Sequence, residues 1–171
     1  MPPWLDEALS VALRLTLWQQ FGLAFLLGSF TVATLSDLKR LSAQREFLEV
    51  WLLFVLAVLA FDAWRAHDGR ASVPVFFLKW GLILGLSVLS LKRVGMLFRL
   101  ALGDVAALAA AACLLTPALV VIYYLVAKAL ALALGPVLGR GRPSWAFMPV
   151  VTLATLAVLA MGWLASQSSL P

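Results

Sequence analysis

Two carboxylates hold the positions in this chain from which chemistry can be argued. Asp37 closes the apolar run "FTVATLS", and Asp104 opens the run in "RLALGDVAALAAAACLLTP". An acid at the mouth of such a run is costly beside lipid, so ionisable groups there are read first as functional. Two carboxylates brought close together cannot both ionise cheaply, and such a pair holds one shared proton. The ionised member then acts as base toward a water. The protonated member donates to a carbonyl oxygen as that carbon becomes tetrahedral. This is peptide hydrolysis without a metal or a nucleophilic side chain, and its apparent pKa values belong to the pair.

The other six acids read as interface or cap residues. Asp6 and Glu7 precede the first apolar run. Glu46 and Glu49 begin the second, where carboxylates suit a helix N-terminus, and Asp62 and Asp68 flank the following loop. The chain has one cysteine, Cys113, so no internal disulfide and no cysteine-based zinc site is expected, and Cys113 reads as a packing residue. His67, in the polar loop "RAHDGRAS", reads as a surface histidine without metal-partner spacing. No cofactor or metal is expected.

These side chains need a scaffold, and composition says which kind. Of 171 residues, 64% are hydrophobic and 12% charged, against about half and a quarter in ordinary globular domains. The chain is therefore read as one all-α, polytopic membrane domain over 1–171. The start "MPPWLDEALS" lacks the basic residues of a cleavable signal, so the first apolar run is expected to remain. Apolar runs predict spans at about 15–36, 47–64, 74–91 and 146–166. The stretch 100–137 is nearly twice a bilayer's hydrocarbon thickness if helical throughout. Proline disfavours helix just before it and suits a first helical position, so Thr116–Pro117 predicts a break. Two spans follow, 102–116 and 118–137, the first short and shielded by its neighbours.

About six spans place the loops on alternating sides. Lys39, Arg40, Arg45, Lys92, Arg93, Arg99, Arg140 and Arg142 then share one side, against Arg14, Arg65 and Arg70 on the other. The positive-inside rule puts the first set in the cytoplasm and both termini outside. The net charge of +5 thus reads as a topology signal, and no nucleic-acid partner is expected. The same reading puts Asp37 and Asp104 at the cytoplasmic face of a multi-pass cell-membrane protein.

Three pieces of the chain, in order, resemble the prepilin and preflagellin peptidases, membrane aspartic proteases with a G-x-G-D motif. "SDLKRLSAQREFLEVW" (36–51) resembles that family's first-aspartate region. "ALGDVAALAAAACLLTP" (101–117) resembles its second-aspartate region. "AFMPVVTLATLAVLAMG" (146–162) resembles a late P-F-M-P segment opening the last span. The resemblance covers most of the chain from about residue 20. It implies that Asp37 and Asp104 are catalytic, and that the partners are pilin-like or archaellin-like precursors. These would be cut on the cytoplasmic side just before their hydrophobic helix. The chain departs from the pattern at Ala101, where the motif has its first glycine, at Ala106, often lysine, and at Ala146, usually proline. Without a cysteine-bound zinc loop it resembles the compact archaeal-type members, with no methyl transfer implied.

Two other readings compete: a catalytically inactive relative serving as an assembly subunit, and a small transporter using Asp104 as a proton or ion site. No internal repeat favours the latter. Lys79 and Lys128, inside apolar runs, read as snorkelling side chains or as partners for a carboxylate or lipid. "GLILG" (81–85) reads as close packing within the bundle. Trp4, Trp18, Trp64 and Trp163 read as interfacial residues. Ser29, Thr31 and Thr34 read as back-bonding or neighbour-facing hydroxyls, and Glu46 and Glu49 as acids able to greet a basic leader. The oligomeric state is not legible in the sequence.

Overall fold

The computed structural model describes residues 13–40, 45–138 and 146–167. Among these residues are six helices: α1 (Leu17–Arg40), α2 (Arg45–His67), α3 (Val73–Ser90), α4 (Leu102–Ala112), α5 (Pro117–Leu138) and α6 (Met148–Gln167). Four contain stretches long and apolar enough to cross a bilayer: Phe47–His67, Val73–Ser90, Pro117–Val137 and Met148–Ala165. The chain is an all-helical membrane protein. The expected spans 15–36 and 102–116 fall outside that set of four. α1 is long, with 24 residues, but Gln19, Gln20, Ser29, Ser36 and Asp37 dilute its apolar character. α4 has only 11 residues and rises roughly 16 Å, about half the hydrocarbon thickness.

The predicted break is present. α4 stops at Ala112, residues 113–115 turn, and Pro117 takes the first position of α5. Proline loses nothing there, because a first-turn N–H has no helical acceptor. Thr116 receives the freed donors: its carbonyl accepts Val120 N–H at 2.9 Å, and its Oγ1 accepts Leu119 N–H at 3.4 Å.

Shortness lets α4 sit inside the bundle. From Val105 to Ala112 all but Ala109 are buried, and Cys113, Leu114 and Leu115 continue the buried run. Its alanines let the surrounding helices close around it. Gly22 of α1 shows how close the approach is: a Cβ there would fall 2.8 Å from Leu114 Cδ1. The outer helices α1 and α6 zip together through matching stripes. Leu23, Leu26, Phe30, Ala33 and Asp37 are buried on α1, and Met148, Val151, Thr155, Val158 and Gly162 on α6. Both stripes follow alternating steps of three and four, which keep one helix face inward. Thr34 and Thr152 join their hydroxyls across the seam at 2.8 Å.

Several readings of single residues need correction. Gly81 and Gly85 do not pack closely against the described residues of the bundle; among these, nothing lies within 4 Å of a Cβ added at either position. Asp62 is not a solvated flanking acid. Its Oδ2 accepts Lys79 Nζ at 2.6 Å and Trp80 Nε1 at 3.2 Å, joining α2 to α3 inside the apolar layer. Lys79 is thus a carboxylate partner rather than a snorkelling cation. Ser29 accepts the indole N–H of buried Trp51 at 3.1 Å, while Thr31 donates back to Leu27 carbonyl at 2.7 Å. Trp18, Trp64 and Trp163 are exposed near helix ends, as an interfacial belt requires. Asp6, Glu7, Trp4, Arg140, Arg142 and the side chains of Lys39, Arg40, Arg45 and Glu46 lie outside the described residues.

Candidate active site

Asp37 is the last member of the buried α1 stripe and is 6% exposed. About four helical turns of inward-facing residues, from Leu23 onward, aim it at the start of α6. There its Oδ2 accepts the backbone N–H of Met148 at 3.2 Å, and the Phe147 amide also donates to it. The first amides of a helix have no partner in their own helix, and the dipole makes that end favourable for an anion. Asp37, from the far end of the sequence, fills that role for α6. Asp37 lies just beyond the apolar run 15–36. Burial pushes its carboxyl above the ordinary carboxylate range, and the Met148 and Phe147 amides oppose that rise.

Asp104 reaches the same end of the bundle from α4. Ala101 is the N-cap, extended at φ −70° and ψ 161°, so Asp104 is the third residue of the helix. From that position a carboxylate folds back on the cap amide, and the Ala101 N–H supports Asp104 in this way. The extended backbone answers the departure from the G-x-G-D pattern. The negative φ at Ala101 is one any residue adopts, so alanine fits without strain.

Asp37 and Asp104 lie close enough for direct Coulombic repulsion, and Asp104 is half-buried. No hydrogen bond joins them. Each carboxylate accepts from the backbone, Asp37 from Met148 and Phe147 and Asp104 from Ala101, and the charge of Asp37 acts on Asp104. The structure therefore brings together the two residues singled out from the sequence. Among the described residues no three His, Cys, Asp or Glu side chains converge as a metal ligand set would.

The segment before α4 holds Asp104 in place. Lys92 N–H donates to Leu100 carbonyl and Leu100 N–H to Ser90 carbonyl, both at 3.0 Å, closing 91–100 into a compact loop. Gly95 turns the chain at φ +62°, in the left-handed region that glycine occupies without strain. Lys128, in α5, donates from Nζ to Leu97 carbonyl at 2.6 Å and lies 5.2 Å from the Phe98 ring centre. The Phe98 ring meets Phe147 edge to face at 5.5 Å, and Phe147 belongs to the turn that holds Asp37. One half-buried cation thus contacts the supports of both aspartates. Phe98 and Lys128 as supports were not legible in the sequence, because nothing in local spacing pairs a mid-helix lysine with a loop carbonyl.

The remaining candidates stand apart from the pair. Cys113 is buried at the other end of α4, its thiol on Ala110 carbonyl. His67 is exposed at the end of α2. Glu49 is exposed in the first turns of α2.

The chain matches no family model, no curated protein and no solved structure.

Proposed function

We propose that the protein is a membrane-embedded aspartic endopeptidase that cleaves leader peptides from pilin-like or archaellin-like precursors. The reading rests on one observation. Asp37 and Asp104, on different helices, come within Coulombic reach at one end of the bundle, each oriented by backbone amides. The ionised carboxylate draws a proton from water as it attacks the scissile carbonyl. The protonated one donates to the developing oxyanion, and proton return to the amine releases the product. Neither needs a nucleophilic side chain.

Lys92, Arg93 and Arg99 are exposed in the loop beside Asp104. By the positive-inside rule that end faces the cytoplasm, so the cut falls where a precursor's leader meets its apolar helix. The resemblance of 36–51, 101–117 and 146–162 to prepilin and preflagellin peptidases supports the same reaction class. The pairing of Asp37 with the turn before α6 gives the third of these segments a physical role.

A second reading draws on the same geometry. Asp37 caps α6 and Asp104 braces its own first turn, so both carboxylates serve a non-catalytic relative as structural acids. Purified protein incubated with a precursor whose leader ends in basic residues separates the two. The peptidase yields a product, mapped by mass spectrometry, that begins at the apolar helix. An intact precursor after prolonged incubation with folded protein supports the structural reading.

A further inference from the structure

We infer that the crevice between α1 and α2 at the end opposite the aspartates is a binding site for an anionic lipid. Arg65 receives the headgroup, and one hydrocarbon chain lies against Trp18, Phe54, Ala57, Val58 and Phe61. These six residues line a groove of about 500 Å³. Val58 is buried and forms the floor, while Trp18, Ala57 and Phe61 are exposed.

Charge selects the occupant. Asp62 is committed to Lys79 at 2.6 Å, and Asp68 to Arg70 at 2.7 Å. Among the described residues Arg65 has no carboxylate partner. Its guanidinium lies 5.8 Å from the centre of the Phe61 ring, inside the groove. A cation left open at the head of an apolar slot, in the last turn of a membrane helix, is complementary to a lipid phosphate. Trp18 and Trp64 beside it carry the ring type that settles at headgroup level.

Length agrees with charge. From Arg65 to Phe54 α2 descends roughly 16 Å, about the depth of one leaflet's hydrocarbon. Trp18 meets Phe61 edge to face, ring centres 6.0 Å apart, and this contact joins α1 to α2 at the groove. The inference uses no property of Asp37 or Asp104, and stands whether or not the chain is a peptidase.

The test is native mass spectrometry of the delipidated full chain titrated with dioleoylphosphatidylglycerol or dioleoylphosphatidylcholine. The anionic lipid is expected to bind about fivefold more tightly. Arg65→Gln abolishes that preference and Arg65→Lys keeps it. Ala57→Trp fills the slot and weakens both lipids, while a large excess of inorganic phosphate displaces neither. Equal binding of the two lipids by the wild type, or a preference untouched by Arg65→Gln, overturns the inference, and so does displacement by free phosphate. Lipid binding unchanged in Ala57→Trp, together with lost precursor cleavage, assigns the groove to the substrate and also overturns it.

Discussion

The Asp37 carboxylate accepts the backbone N–H of Met148 at 3.2 Å across 111 residues of sequence. One acid thus caps a helix it does not belong to, and the two roles open to Asp37 can be separated by substitution. Asp37→Ala removes the acceptor and is expected to lower stability by about 1 kcal/mol, as loss of an N-cap does. Asp37→Asn keeps an acceptor oxygen and is expected to unfold close to the wild-type temperature. Thermal unfolding in detergent reads this difference, and equal losses in both variants would contradict the capping role.

The proposed pair predicts the pH dependence of precursor cleavage. The rate is expected to rise as the first carboxyl of the pair ionises and to fall as the second does, giving a bell. Burial holds Asp37 above the ordinary carboxylate range, so the folded chain keeps that proton to higher pH than the unfolded chain. This linkage favours the folded state at acid pH, and the advantage is lost as pH rises through the folded value. Initial rates between about pH 4 and pH 9 test the profile; a flat one has no place for a titrating pair.

The Asp62–Lys79 pair lies inside the apolar layer, with side chains 15% and 12% exposed. Lys79→Met leaves Asp62 without its cation and is expected to cost about 3 kcal/mol. Adding Asp62→Asn removes the stranded charge and should recover most of the loss. A double-mutant cycle in detergent unfolding measures the coupling. Additive losses would show that the two side chains do not depend on each other.

Lys128 supports the loop before Asp104 through Leu97 carbonyl and the Phe98 ring. Lys128→Met is expected to speed amide hydrogen exchange across 91–101 and to lower kcat more than it changes KM. Lys128→Arg, which retains a donor and a cation, should restore part of both. Unaltered exchange in Lys128→Met would remove Lys128 from the account.

Much of this arrangement was legible in the sequence, for identifiable reasons. Pro117 announces the break between α4 and α5 because it cannot continue a helix from behind it. Asp37 falls in step with Leu23, Leu26, Phe30 and Ala33, so the spacing that buries those residues aims the carboxylate inward. Asp104 is found by its place at the start of an alanine run. Contacts between distant segments are harder to read. Nothing local tells that Met148 and Phe147 amides meet Asp37, that Lys128 reaches Leu97, or that Asp62 turns inward to Lys79. Gly81 and Gly85 show the converse: a helix-packing spacing occurs where, among the described residues, nothing lies within 4 Å of an added Cβ.

The most direct test of the central claim is the initial rate of precursor cleavage by wild type, Asp37→Asn and Asp104→Asn, each verified as folded. If the two carboxylates share the reaction, each single substitution abolishes turnover, and the double variant is no worse than either. Substantial cleavage by either single variant would show that peptide hydrolysis here does not run through this pair.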